Sequence, residues 1–253
     1  MMRMSATVGF IAAAVALVGL TRAAESAEIK MLASNAVKEA YLHLIPQFEQ
    51  ATGHSVKIDW LGTNDIIRRI GAGEVTDIAI APSYVVDDLI KQEKLASGSR
   101  VDVARSLIGV AIRPGAPKPD LTSGESLKRS LLASESIVIS SGPSGVYLTR
   151  KFQEMGIADQ IKGKLKQLPP GGSSGEALAR GEGDLGFTQV SEFLASKGIE
   201  YVGALPADIQ QETIFSAGLH KGAPQAEAAR ALLRFLTGPS SVPVLRTAGL
   251  QPG

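Results

Sequence analysis

The sequence predicts an α/β protein of two similar lobes, each a mostly parallel sheet flanked by helices, and three observations carry that expectation. From Glu28 onward, short apolar runs alternate with segments of helical period, the βαβα order that builds a parallel sheet under helices. The run Arg113-Pro114-Gly115-Ala116-Pro117-Lys118-Pro119 is rich in chain breakers, and after it the pattern restarts, which marks the neighbourhood of a domain crossing. Gly73-Glu74-x-x-Asp77, leading into a strand and then a helix, is echoed by Gly181-Glu182-x-Asp184 in the same setting.

The elements follow in order. Ile29 to Ala33 reads as a strand, and Ala36 to Gln50 as an amphipathic helix with Val37, Ala40, Tyr41, Leu44, Ile45 and Phe48 on one face, stopped by Thr52-Gly53. Val56 to Leu61, Asp77 to Ala81 and Arg105 to Ala111 read as strands, with helices at 64–71 and 84–92 between them. Beyond the breakers come helices at 124–133 and 146–155, a short helix ending at Gly181, and one at 190–196. Strands are expected at 136–140, 164–168, 184–189, 201–205 and 213–219, and a last helix at 223–236. Trp60 and Phe187 fall within strand patterns and read as core.

The N-terminus has a different character. Met1 to Thr7 carry one charge, Arg3; Val8 to Leu20 are apolar or glycine, and Thr21-Arg22-Ala23 offers small residues around a cleavage point, the pattern of a secretory signal peptide over 1–23. A helix of that apolar length spans about 20 Å, short of the roughly 30 Å of hydrocarbon it would have to cross. The whole chain of 253 residues has 26 basic and 25 acidic side chains, and loss of Arg3 and Arg22 with the leader leaves a formal charge of −1. Such a balance provides no basic face for nucleic acid. The chain contains no cysteine, which excludes disulfides, a thiolate nucleophile and thiolate-held metals. An exported, periplasmic protein is the expectation.

Enzyme motifs are sparse. Phosphate-binding and dinucleotide-binding glycine loops and the zinc-protease helix motif do not occur, and the histidines at 43, 54 and 220 lack metal-ligand spacing, so neither cofactor nor metal is expected. Gly171-Gly172-Ser173-Ser174-Gly175 fits the G-x-S-x-G form, but Pro169-Pro170 replaces the strand that a nucleophile elbow requires. A helix-capping loop, with Ser173 or Ser174 as the cap, or an anion-binding loop are the other readings.

The same device recurs. Strands lead into helices through Ser34-Asn35, through Gly62-Thr63-Asn64 and through Ser141-Gly142-Pro143-Ser144-Gly145. Each junction serves equally as an N-cap; together they place neutral donors at the carboxyl ends of strands, where open α/β sheets take ligands. Arg105, beside Ser106 at the head of the crossing strand, is positioned to fork onto a carboxylate. Arg68, Arg69, Arg150, Arg180 and the pair Asp87-Asp88 read as solvated helix faces. Asn35, Thr63, Asn64, Arg105, Ser106, Ser144, Gly145, Val146, Ser173 and Gln189 are thus the candidate ligand contacts.

A family resemblance spans nearly the whole mature chain. Its carriers are Ile-Lys-Met-Leu-Ala-Ser-Asn-Ala-Val (29–37), Phe-Glu-Gln-Ala-Thr-Gly-His-Ser-Val (48–56), Gly-Glu-Val-Thr-Asp-Ile-Ala-Ile (73–80), Ala-Arg-Ser-Leu-Ile-Gly-Val-Ala (104–111), Gly-Ala-Pro-Lys-Pro-Asp (115–120), Pro-Ser-Gly-Val-Tyr-Leu (143–148) and Gly-Phe-Thr-Gln-Val-Ser-Glu (186–192). In these the chain resembles periplasmic solute-binding proteins of type II fold, in the molybdate-binding-protein-like branch. The resemblance implies two lobes, 24–104 with 214–253 and then 105–213, closing by hinge motion on a ligand in the cleft. Molybdate-type members hold a tetrahedral oxyanion with serines at the first two junctions and a tyrosine after the Gly-Phe strand. Here those positions show Ser34-Asn35, Thr63-Asn64 and Gln189, a set better suited to a di- or tricarboxylate.

The expected function is capture of a small anion, polycarboxylate or tetrahedral oxyanion, by a monomer that delivers it to an ABC permease. The segments Ser-Gly-Val-Tyr-Leu, Gly-Phe-x-Gln-Val-Ser-Glu, Leu-Pro-x-x-x-Gln and Phe-Ser-Ala-Gly also resemble periplasmic aconitate isomerases, which implies proton transfer next to a carboxylate as the alternative. For that chemistry Glu192 and the histidines are the nearest bases, none with a diagnostic spacing.

Overall fold

A computed structural model describes residues 26–253, and the expected leader at 1–23 lies outside the described residues. The chain begins β1 (Glu28–Ser34), α1 (Lys38–Thr52), β2 (Ser55–Leu61), α2 (Thr63–Gly71), β3 (Ile78–Pro82), α3 (Ser83–Lys91) and β4 (Val101–Ile112). It continues α4 (Gly124–Ala133), β5 (Ile137–Ile139), α5 (Pro143–Glu154), α6 (Ala158–Ile161), β6 (Leu165–Gln167), α7 (Ser174–Ala179), β7 (Leu185–Gln189), α8 (Val190–Leu194) and β8 (Glu200–Ala204). It returns as β9 (Glu212–Leu219), α9 (Ala226–Leu236), α10 (Ser241–Thr247) and β10 (Gln251–Pro252).

Strand β4 belongs to two sheets. Its first part, Val101 to Leu107, pairs antiparallel with β9, which continues through β3, β1 and β2; β1 runs parallel to both of its neighbours. Its second part, Ile108 to Ile112, pairs antiparallel with β7 and, on its other edge over Gly109 to Ile112, with β8, and β7 continues through the parallel strands β5 and β6. The chain therefore crosses between lobes within β4 and returns just before β9. Gln210 ties the two passages together: its Oε1 accepts the Ile108 amide at 3.0 Å, while its Nε2 donates to the carbonyls of Ile108 at 3.1 Å and Leu205 at 3.3 Å.

Both sheets are buried on both faces. In the first lobe Tyr41, Leu44 and Phe48 of α1 and Leu232 and Leu236 of α9 cover one face, while Ile66, Ile70, Val86 and Leu89 of α2 and α3 cover the other. In the second, Leu127, Leu131, Leu148 and Phe152 pack on one side and Ala177, Leu178 and Phe193 on the other. These are the residues that the helical periods of the sequence bring to one face. Phe48 is fully buried, and truncating such a side chain to alanine costs about 3–5 kcal/mol.

The breaker segment 113–119 does not make the crossing. Arg113 and its neighbours sit at the far end of β4, where the guanidinium donates to Asp184 at 2.7 Å and Ala116 joins the second lobe's core. Strand β4 runs unbroken from one sheet into the other and ends before the breakers. Helices α6 and α10 and strand β10 are also additions to the expected order; at four, seven and two residues they are too short to show a period.

Candidate functional site

The carboxyl ends of the parallel strands from both lobes converge on one cleft. Ser34 and Asn35 come from the β1–α1 junction, Gly62 to Asn64 from β2–α2, Ser140 to Ser144 from β5–α5, Pro170 to Gly172 from the loop before α7, and Thr188, Gln189 and Glu192 from β7–α8. The interior holds about 50 Å³, room for a compact group. Across its mouth the backbones of the lobes meet: a methyl group on Gly62 would lie 3.0 Å from the amide nitrogen of Gly171.

Local sequence builds each wall. Ser34 caps the turn into α1, its Oγ accepting the Ala36 amide at 3.3 Å. Pro143 opens α5, where its fixed φ and missing N–H cost nothing. Gly145 is required by close approach, since a Cβ there would stand 1.7 Å from the Ser140 carbonyl oxygen. That contact presses the start of α5 onto the end of β5. The amides of Thr63 and Asn64 at the start of α2, and of Ser144 and Gly145 at the start of α5, have no intrahelical acceptor and stand at the positive ends of their helix dipoles. An anion is what such a lining accommodates.

The side chains add neutral groups and one acid. Ser140 and Ser144 hydroxyls lie 2.9 Å apart, and Gln189, 2% exposed, donates from Nε2 to Thr213 Oγ1 at 3.2 Å while its Oε1 has no partner. Glu192 is the single ionisable side chain lining the cleft among the described residues. It stands four residues after Thr188, across the β7–α8 junction, and the Thr188 hydroxyl donates to it. Burial of the carboxyl group raises its pKa above the usual carboxylate range, opposed by that hydroxyl and by the Gln189 amide.

Of the residues expected from sequence, Asn35, Thr63, Asn64, Ser144 and Gln189 come together at the cleft. Arg105 does not. Its side chain is exposed, on a stretch of β4 paired between β9 and β10, 3.9 Å from Glu212 Oε2, while Ser106 is buried with its hydroxyl 3.3 Å from the Leu107 carbonyl. Alternation along the strand sends these neighbours to opposite faces and neither to the cleft lining. Gly145 is set behind the lining, and Val146 is exposed. Ser173 caps α7, accepting the Glu176 amide at 3.2 Å, and lines a neighbouring recess; Ser174 donates to the Phe187 carbonyl at 3.1 Å. Both serines of the G-x-S-x-G match are thus engaged in holding α7.

None of the histidines lines the cleft. His54 accepts the Ala27 amide at 3.2 Å, His220 accepts the Gly222 amide at 3.1 Å, and His43 borders a separate groove with α10. Thr188 was not singled out by sequence, although its spacing of four from Glu192 across a strand-to-helix junction is the signal that finds the pair. Arg68 and Arg150 are solvated, but Arg69 bonds both Asp59 and Glu74, and Asp87 receives Arg100 at 3.0 Å.

Residues 29–251 match the family of bacterial extracellular solute-binding proteins. An aconitate isomerase from a Pseudomonas species is 33% identical over 232 residues, covering 88% of this chain and 87% of that one. The molybdate-binding protein of Escherichia coli K12 is 23% identical over 89% of this chain and 90% of its own. Among solved structures, the periplasmic molybdate-binding protein of Azotobacter vinelandii superposes with a TM-score of 0.76 at 21% identity, covering 89% of this chain and 99% of that one. With its two-lobed α/β fold and a cleft at the strand ends, this chain belongs to the bacterial extracellular solute-binding proteins.

Proposed function

We propose that the protein, exported to the periplasm, binds a small polycarboxylate of the aconitate type in its interlobe cleft and interconverts its cis and trans isomers. The observation that carries this reading is Glu192, the acid built into a cleft otherwise lined by neutral donors. A receptor that only held an anion would lose affinity to an ionised carboxylate in its lining; a proton-transfer enzyme needs one. The 33% identity to an aconitate isomerase supports the same reading.

The chemistry is balanced without a cofactor. Glu192 takes a proton from the methylene group next to one carboxylate, and the electron pair spreads through the adjoining double bond. The proton then returns at the other end of that allylic system, which shifts the double bond and exchanges the isomers. Helix N-termini and the Ser140, Ser144 and Gln189 side chains stabilise the charge that develops on the carboxylates. A carboxyl whose pKa is raised serves both as base and, once protonated, as acid.

A second reading, delivery of a compact oxyanion to an ABC permease, is favoured by the narrow 50 Å³ interior. A thermal-shift panel of the mature protein with molybdate, tungstate, sulfate, citrate and both aconitate isomers separates the two. A ligand at about 100 times its Kd adds roughly 2.7 kcal/mol of stability, and the aconitate isomers are expected to produce the shift. A shift from the tetrahedral oxyanions alone would establish the receptor reading instead.

A further inference from the structure

A second, wider recess opens directly behind Glu192. It holds about 560 Å³ and shares Asn35, Gly171, Gly172 and Glu192 with the narrow cleft, so the two adjoin at these residues, the acid among them. Lys38, from the first residue of α1, and Lys197, just beyond α8, line it. Neither ammonium group has an ion-pair partner within 4 Å among the described residues.

We infer that this recess is the subsite for the remaining carboxylates of the substrate, with Lys38 and Lys197 as the residues that select a tricarboxylate. The inference rests on the polycarboxylate reading of the cleft.

Three considerations carry it. One carboxylate fills the narrow cleft against the helix N-termini, and the rest of a six-carbon acid has to extend past Glu192 into the space behind. That extension places the methylene between the two anchored ends beside the acid that would remove its proton. Second, a lysine in the first turn of α1 stands at the positive end of its helix dipole, a position that costs helix stability unless an anion is gathered there. Third, Glu176, one of the acids in the same recess, lies 3.6 Å from Arg180, so its charge is answered by a cation other than the two lysines.

The lysines also come from opposite lobes. A ligand that engages both spans the interface, and its binding draws the lobes together.

Isothermal titration of the mature protein with trans-aconitate, fumarate and molybdate tests the subsite, using Lys38→Gln, Lys197→Gln and Lys38→Arg. Each glutamine variant is expected to weaken trans-aconitate binding about tenfold while changing fumarate and molybdate less than twofold, and Lys38→Arg to recover most of the loss. Unchanged affinity for trans-aconitate in both glutamine variants, or an equal loss for all three anions, would overturn the assignment. Wild-type protein that binds no carboxylate at all would remove the polycarboxylate reading and the subsite together, an outcome distinct from unmoved variants of a protein that binds.

Discussion

Glu192 is placed at a cost, and the cost is measurable. Its raised pKa means that the folded protein holds this proton to higher pH than the unfolded chain, so folding stability falls as pH rises from the ordinary carboxylate value near 4.3 through the raised one. Glu192→Gln removes that loss. The variant is expected to match the parent at pH 4 and to exceed it in urea unfolding at pH 8, while isomerisation drops at least about 100-fold with substrate still bound. Asp77 shows the opposite design: its carboxylate, 1% exposed, accepts the Lys30 amide at 2.8 Å and the Gln225 amide at 2.6 Å and so pins β1 to the entry of α9. Asp77→Ala leaves both part-buried donors unpaired and is expected to cost about 2 kcal/mol in urea unfolding.

At the scale of elements, close approaches between backbones decide what substitutions do. Gly145→Ala drives a methyl group into the Ser140 carbonyl and is expected to destabilise the fold by about 2–3 kcal/mol, read from thermal unfolding. Gly62→Val is different, because Gly62 has an ordinary φ of −73° and its missing Cβ matters only where Gly171 faces it. It is expected to leave stability within about 0.5 kcal/mol and to weaken ligand binding at least tenfold by holding the lobes apart. Helical periods and strand-to-helix junctions were legible in the sequence because each is local: Ala36 to Gln50 and Gly124 to Ala133 announce their elements by spacing. The echo between Gly73-Glu74-x-x-Asp77 and Gly181-Glu182-x-Asp184 also has structural meaning, since Gly73 and Gly181 both adopt positive φ, Asp77 accepts the Lys30 amide of β1, and Asp184 accepts the Ser136 hydroxyl just before β5. Arg105 was misleading for the same reason in reverse. Which face of β4 it occupies depends on pairing with β9 and β10, a long-range register that no local pattern contains.

On the scale of the molecule, the near-neutral balance of 26 basic and 25 acidic residues means that the anion proposed for the cleft would be held by oriented backbone dipoles and a few placed side chains, not by a broad positive field. The two lobes are joined by β4 and the return into β9, stapled at Ile108 by Gln210, and the site exists only where the lobes meet. A scaffold built to close on a solute needs little more than one acid at the junction to become a proton-transfer enzyme. The most direct test of that claim is to incubate the mature protein with cis-aconitate in deuterium oxide and follow the products by proton NMR. Trans-aconitate is expected to form, with deuterium entering wherever the proton on Glu192 exchanges with solvent before it returns, and isomer formation is expected to be lost in Glu192→Gln. Binding of aconitate with no isomer formed and no deuterium incorporated would contradict that claim and leave a receptor in place of an enzyme.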